Sequence, residues 1–176
     1  MLTHRLATEA DIAPLRVLMT LAIDCNQREF LAPEQVVASA AVMGIDTQLI
    51  ADRTYFLIQE DGHPVGCGGW SWRATTYGGD HSGGLRNPAP LDPAVDPARV
   101  RAMYTHPDHV RRGIGRMILG LCEGAARDAG FGSVILMGTL SGEPLYRAAG
   151  YVVVDTHSDM VDGVEVPLML MRKSLS

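Results

Sequence analysis

VRAMYTHPDHVRRGIGRMIL, residues 100–119, is the stretch on which the reading of this chain turns. Arg99 to Thr105 reads as a strand, and the basic, glycine-bearing turn His109 to Gly115 opens a helix. Ile114, Met117, Ile118, Leu121, Cys122, Ala125 and Ala129 recur at helical spacing, Arg116, Glu123, Arg127 and Asp128 lie elsewhere, and Gly130 stops the helix. A helix N-terminus presents unpaired N–H groups and the positive end of its dipole, so this strand–turn–helix unit is a ready anion site. Gly113 and Gly115 lack a Cβ and let a phosphate approach the backbone. The dipole alone contributes about 0.3–1 kcal/mol at an exposed site. Direct N–H bonds and a nearby arginine must therefore supply most of the affinity. Pyrophosphate is the ligand that suits this geometry.

Other readings of the glycines fare less well. A Walker loop needs GxxxxGK[ST], and no Lys-Ser or Lys-Thr follows here. A dinucleotide fingerprint needs a third glycine where Ile118 stands, and an acid on the next strand that is missing. A helix start with glycines for close packing and solvated arginines remains the plain alternative.

Outward from this unit the chain alternates strands and helices. Leu2 to Ala7 reads as a strand, and Thr8 as a helix N-cap, with Asp11 three residues on as a variant capping box. Ile12, Leu15, Leu18, Met19 and Ala22 predict a first helix to about residue 25. Pro33 near the start of EQVVASAAVMG predicts a second, ending near Gly44. TYFLIQ (54–59), the Asp61-Gly62 turn and residues 65–72 read as a hairpin. Residues 73–97 are rich in Gly, Pro, Asp and Asn, and a loop this long is usually functional or disordered. Downstream, strands are expected at 133–137, 151–155 and 164–171, and a short helix at 144–149. The order β-α-α-β-β-β-α-β-α-β-β implies an α/β (α+β) fold, one domain over 1–176 with the 73–97 loop inside it.

Composition bounds the partners. The 176 residues are 47% apolar and 20% charged, with a formal charge of −5. A mildly acidic chain gives no global reason to bind nucleic acid or an anionic membrane. The three cysteines are far apart and show no CxxC spacing, and the six histidines are scattered, so neither a disulfide framework nor a metal site is expected. The N-terminal segment has early acids and no apolar core, unlike a signal peptide, and no run of about 18 apolar residues is present. A cytoplasmic protein is the expectation.

The 100–119 segment resembles motif A of the GNAT superfamily of N-acetyltransferases, Q/R-x-x-G-x-G/A on a strand–loop–helix unit. Aligned on Gly113 and Gly115, the first position is Val110, a departure, although Arg111 and Arg112 keep the loop basic. SVILMGTLSGEPLYRAAGYVVVD (133–155) resembles the family's following strand, helix and strand, with Tyr146 in the helix and Gly150-Tyr151 at its end. The resemblance spans nearly the whole chain. It implies a mixed, mostly antiparallel sheet of about seven strands with splayed central strands, flanked by about four helices.

It also implies acetyl-CoA as co-substrate, a primary amine of a small molecule or a protein as acceptor, and direct attack in a ternary complex. On this resemblance the backbone of Met103, Tyr104 and Thr105 lies along the pantetheine arm, with the Met103 amide on the thioester carbonyl. Val110, Arg111, Arg112, Gly113, Ile114, Gly115 and Arg116 bind pyrophosphate, and Arg111 or Arg112 meets the ribose phosphate. Tyr146 protonates the leaving thiolate. Trp70, Trp72 and Tyr77 wall the acceptor site, since residues 70 and 72 project from one side of a strand. Arg99 and Arg101 share a side and read as solvated strand charges or as a steer for an acidic acceptor. No base is assigned; Glu143, His81, Asp80 and His106 are the candidates. A homodimer is common for such folds. The rival reading is a non-catalytic acyl-CoA sensor on the same fold, which needs no Tyr146.

Overall fold

The computed structural model describes residues 1–176. Its strands are β1 (Leu2–Leu6), β2 (Tyr55–Glu60), β3 (His63–Ser71), β4 (Ala98–Thr105), β5 (Ser133–Gly138), β6 (Val152–Val161) and β7 (Val164–Ser174). Its helices are α1 (Ile12–Asn26), α2 (Pro33–Ser39), α3 (Thr47–Ala51), α4 (Ile114–Asp128) and α5 (Glu143–Ala148). The strands form one seven-stranded sheet in the order β1-β2-β3-β4-β5-β7-β6. Every neighbouring pair is antiparallel except β4 and β5, which are parallel. No helix is long and apolar enough to cross a membrane.

Strand alternation divides the core between the two faces of the sheet. Tyr55, Leu57, Cys67 and Tyr104 pack with Leu15, Leu18, Met19 and Leu49 of α1 and α3. Ile58, Trp70, Val100, Val134 and Leu136 pack with Ile114, Ile118 and Cys122 of α4. Helix α4 packs directly over Gly66 and Gly68 of β3. A Cβ at Gly66 would overlap the Ile114 side chain, and one at Gly68 would meet Ile118 and Met103. Thr8 opens a 3-10 turn, Glu9–Asp11, that leads into α1 at Ile12, and its N–H and hydroxyl both donate to Asp11 Oδ2, at 2.8 and 3.1 Å.

Several elements differ from expectation. Helix α3 adds a fifth helix; its five residues carry too little periodicity to stand out, and it is held by Asp46, whose side chain accepts from the Gln48 N–H. Strands β6 and β7 run on to Val161 and Ser174 because they pair with each other as a long hairpin at the sheet edge. On α4 the buried stripe includes Leu119, Glu123 and Ala126. Glu123 is enclosed because it accepts from the Tyr151 hydroxyl at 3.1 Å and from Lys173 Nζ at 2.7 Å.

Arg101 is the main correction. The expected solvated strand charge is 3% exposed. Its Nη2 donates to Asp46 Oδ2 and to the Gly78 carbonyl, both at 2.9 Å, and its Nη1 donates to the Thr75 carbonyl at 3.3 Å. Asp46 Oδ1 accepts from Arg86 Nη2 at 2.9 Å. Burial lowers the Arg101 pKa and Asp46 opposes that shift. Arg99 is half-buried, with one guanidinium nitrogen donating to the Pro97 carbonyl.

The 73–97 loop is therefore tied down rather than loose. Arg73 makes a two-pronged pair with Asp52 at 2.7 and 2.9 Å and bridges to Pro90. The Ser82 hydroxyl donates to the Ala41 carbonyl at 2.9 Å. Breaking a buried ion pair by removing one partner costs about 3–5 kcal/mol, because the other charge is left enclosed. Arg101→Met is expected to lower Tm by roughly 10 °C, read by circular dichroism. An unchanged Tm would mean that the pair does not hold the loop.

Candidate functional site

Strands β4 and β5 are in register only at Ala98↔Val134 and Arg99↔Ile135, and beyond those pairs they part. On its other edge β4 carries a bulge. Cys67 faces Tyr104 and Gly69 faces Arg101, so Ala102 and Met103 together oppose Gly68. Ala102 has φ of +50°, a left-handed conformation that is uncommon for a residue with a Cβ. Three side chains hold this irregular backbone. The buried Tyr55 hydroxyl donates to the Ala102 carbonyl at 2.6 Å, Asn26 Nδ2 donates to the Thr105 carbonyl at 2.9 Å, and the Gly44 N–H donates to the Tyr104 hydroxyl at 2.8 Å. Burial pushes the Tyr55 and Tyr104 phenols up, so both stay neutral. The parting of the strands opens a cleft whose lining includes Met43, Tyr77, Met103, Met137, Tyr146 and Leu168.

The turn ahead of α4 alternates in hand. Arg111 has φ of +60° and Gly113, the N-cap, has φ of +84°. Successive backbone N–H groups in such an alternation converge into an anion-binding concavity. A Cβ on Gly113 would meet nothing within 4 Å, so space for a ligand lies directly over it. Gly115 has a different reason to be glycine: a Cβ there would lie 2.6 Å from Leu145 Cδ2 of α5. Ile114 is fully buried and serves as an anchor against β3. Of the arginines, Arg112 is paired with Glu60 at 2.7 and 2.9 Å. Arg111 and Arg116 are exposed and form no ion pair. Val110 is exposed and extended (φ −64°, ψ 154°), so any contribution from this position comes through its backbone.

Tyr146 reaches the same cleft from α5. Its ring lies across Gly138 and Gly142 and meets Tyr151 edge-on at 6.1 Å. A Cβ on Gly142 would fall 2.7 Å from the Tyr146 ring. Tyr151 is fixed in turn by Glu123. The Tyr146 hydroxyl has no hydrogen-bond partner in the protein, and burial, with a smaller effect of Cys122, pushes its pKa up to about 12. Met103 and Tyr146, far apart in sequence, thus line one cavity.

Of the three aromatics expected to wall an acceptor site, only Tyr77 lines the cleft. Trp70 and Trp72 do share a side, but it is the α4 side. Trp70 is buried edge-on against Phe131, and Trp72 packs on the same core with the Arg73 guanidinium 4.1 Å from its ring centroid. The base candidates have structural partners. Glu143 pairs with Arg147, His81 with the Ala40 carbonyl, Asp80 with the Thr47 N–H, and His106 with the Asp108 N–H. None of them lines the cleft. His157 and Asp159 are the polar residues that the sequence did not single out. His157 Nε2 is 3.1 Å from the Tyr77 hydroxyl and 3.0 Å from Asp159 Oδ1. No group of three or more His, Cys, Asp or Glu is arranged to hold a metal ion.

The sequence profile of the acetyltransferase (GNAT) family matches residues 18–151, and the chain belongs to that family. Among solved structures, a GCN5-related N-acetyltransferase from Rhodopseudomonas palustris superposes with a TM-score of 0.70 at 18% identity, covering 98% of this chain and 94% of that one. A putative acetyltransferase from Salmonella typhimurium, solved with its cofactor acetyl-CoA, gives 0.63 at 20% identity over 100% and 95%. The PaiA N-acetyltransferase from Thermoplasma acidophilum, in complex with coenzyme A, gives 0.63 at 12% identity over 99% of each chain. At these identities the likeness is one of fold. No curated protein matches the sequence.

The Tyr55 hydroxyl can be tested directly. Tyr55→Phe leaves the Ala102 carbonyl without its side-chain donor and is expected to cost about 1–3 kcal/mol. Hydrogen exchange should accelerate at residues 102–104 ahead of the rest of the sheet. Uniform acceleration would show that the hydroxyl supports global stability and not the bulge.

Proposed function

We propose that this chain moves an acetyl group from acetyl-CoA to a primary amine by direct attack in a ternary complex. One observation carries the reading: the parted β4 and β5 form a cleft that brings the Ala102–Met103 bulge to Tyr146, whose hydroxyl has no partner. Bound acetyl-CoA supplies a thioester whose carbon accepts the amine nitrogen as the C–S bond breaks.

The residues divide the work. The turn from Val110 to Gly115 offers converging N–H groups to a pyrophosphate, and Arg111 and Arg116 are the cations free to add to it. Beyond Arg99 the edge of β4 has no β5 partner, and we assign that edge, Met103 to Thr105, to the pantetheine arm and the Met103 N–H to the thioester oxygen. Tyr146 gives its proton to the departing sulfur and regains one from the nitrogen. The acceptor first loses one proton as its ammonium becomes an amine, so the products are amide, thiol and one released proton. With its pKa near 12, the Tyr146 phenol is protonated throughout the neutral range and available as a donor. Relatives solved with acetyl-CoA and coenzyme A on the same fold support the choice of co-substrate.

Melting the protein with acetyl-CoA, CoA, ATP or NAD tests the cofactor. A ligand at 100 times its Kd adds about 2.7 kcal/mol, a rise of several degrees for a domain of this size. Acetyl-CoA and CoA should give it and ATP and NAD should not. No rise with either thiol at millimolar concentration would remove the reading. Arg111→Ala and Arg116→Ala should each weaken CoA binding severalfold, and Arg112→Ala should change it little because Glu60 already holds that side chain. Tyr146→Phe should lower kcat by about 10²-fold or more with CoA affinity retained. Unaltered turnover would exclude Tyr146 as the acid, and CoA binding by the wild type without turnover of any amine would favour a binding module.

A further inference from the structure

Resting on the transferase reading above, we infer that the Tyr77–His157–Asp159 cluster, which adjoins the cleft through Tyr77, docks the acceptor as a cationic amine carried on an apolar body. The position comes from strand pairing. His157 is the register partner of Leu168, and Asp159 that of Val166, so these four side chains share one face of the β6–β7 hairpin. Leu168 and Tyr77 both line the cleft. The Tyr77 hydroxyl reaches His157 Nε2 at 3.1 Å, and that same nitrogen lies 3.0 Å from Asp159 Oδ1.

The charge follows from what is and is not satisfied. Asp159 Oδ2 is buried and has no hydrogen-bond partner. A carboxylate oxygen enclosed without a donor is costly, and such an atom in a folded protein calls for a missing partner. A primary ammonium brings three donors and a positive charge. Burial raises the Tyr77 pKa, and the Asp159 carboxylate beside it raises it further. The opposite preference has no support in the cleft. The one cation in its lining is Arg101, and that guanidinium is already committed to Asp46 and to the Gly78 and Thr75 carbonyls. An acidic acceptor would find no free positive charge there. The rest of the lining, with Met43, Met103 and Met137, offers flexible apolar surface that suits a hydrocarbon or aromatic body.

Calorimetry with benzylamine, cationic at neutral pH, and O-benzylhydroxylamine, which has the same ring but is uncharged there, tests the docking site. Titrations are run with and without saturating CoA, on wild type and on Asp159→Asn. Benzylamine should bind the wild type, lose tenfold or more in Asp159→Asn and retain its preference over the neutral analogue in Tyr77→Phe. O-Benzylhydroxylamine should change less than twofold in Asp159→Asn. Equal losses for both ligands, or glutamate binding the wild type more tightly than benzylamine, would overturn the proposal. A CoA-induced rise in Tm retained by Asp159→Asn shows that the variant is folded. The two readings fail separately. Benzylamine binding that depends on Asp159 without any thiol release in the presence of acetyl-CoA overturns the transferase and leaves the docking site standing. Turnover of benzylamine indifferent to Asp159→Asn overturns the docking site and leaves the transferase standing.

Discussion

The cleft depends on a single buried carboxylate. Asp46 caps α3, accepts Arg101 from β4 and accepts Arg86 from the long loop, so three separate pieces of chain meet at two oxygens. Arg101 adds the Gly78 and Thr75 carbonyls to the same knot. Tyr77 lies between those two carbonyls, so the knot fixes the loop residue that faces the cleft. A pair this enclosed gains little over an apolar substitute in net stability. Its effect here is positional: it turns a Gly- and Pro-rich segment into one wall of a cavity.

The second constraint is on β4 itself. A strand that kept its ladder with β5 and its regular pleat would leave no opening. Two interruptions prevent that, the loss of pairing after Arg99 and the Ala102–Met103 bulge, and the second is held by a tyrosine hydroxyl from a strand two places away. The irregular backbone therefore has a cause in packing: the buried Tyr55 phenol and the Asn26 amide donate to the Ala102 and Thr105 carbonyls.

Much of this was legible in the sequence, and most of what was not has a common origin. The strand–turn–helix unit at 100–119 could be read because local signals coincide there: glycines at a helix start, an apolar stripe of 3.6 period and a stop at Gly130. Tyr146 could be placed only through family resemblance, since nothing local separates it from a packing aromatic. Trp70 and Trp72 were correctly put on one side of β3, yet alternation cannot say which helix covers that side, and it is α4. Arg101 looked solvated because its partner, Asp46, is 55 residues away. His157 and Asp159 lie beyond the point where β6 was expected to end, on a hairpin defined only by its pairing with β7. Apart from the short helix α3, each miss concerns a long-range partner, which period and composition do not encode.

One missing methyl group links the turn ahead of α4 to the cleft. Gly115, in the first turn of α4, is pressed against Leu145, and the next residue along α5 is Tyr146. The spacing between the concave turn and the phenol is thus gauged by direct contact of α4 with α5, with no loop to absorb a change. Any side chain at position 115 would act as a wedge, moving the phenol as it moved the helix. The position of the turn and that of the phenol are geared together at that point, and the chain has no easy route to adjusting one alone.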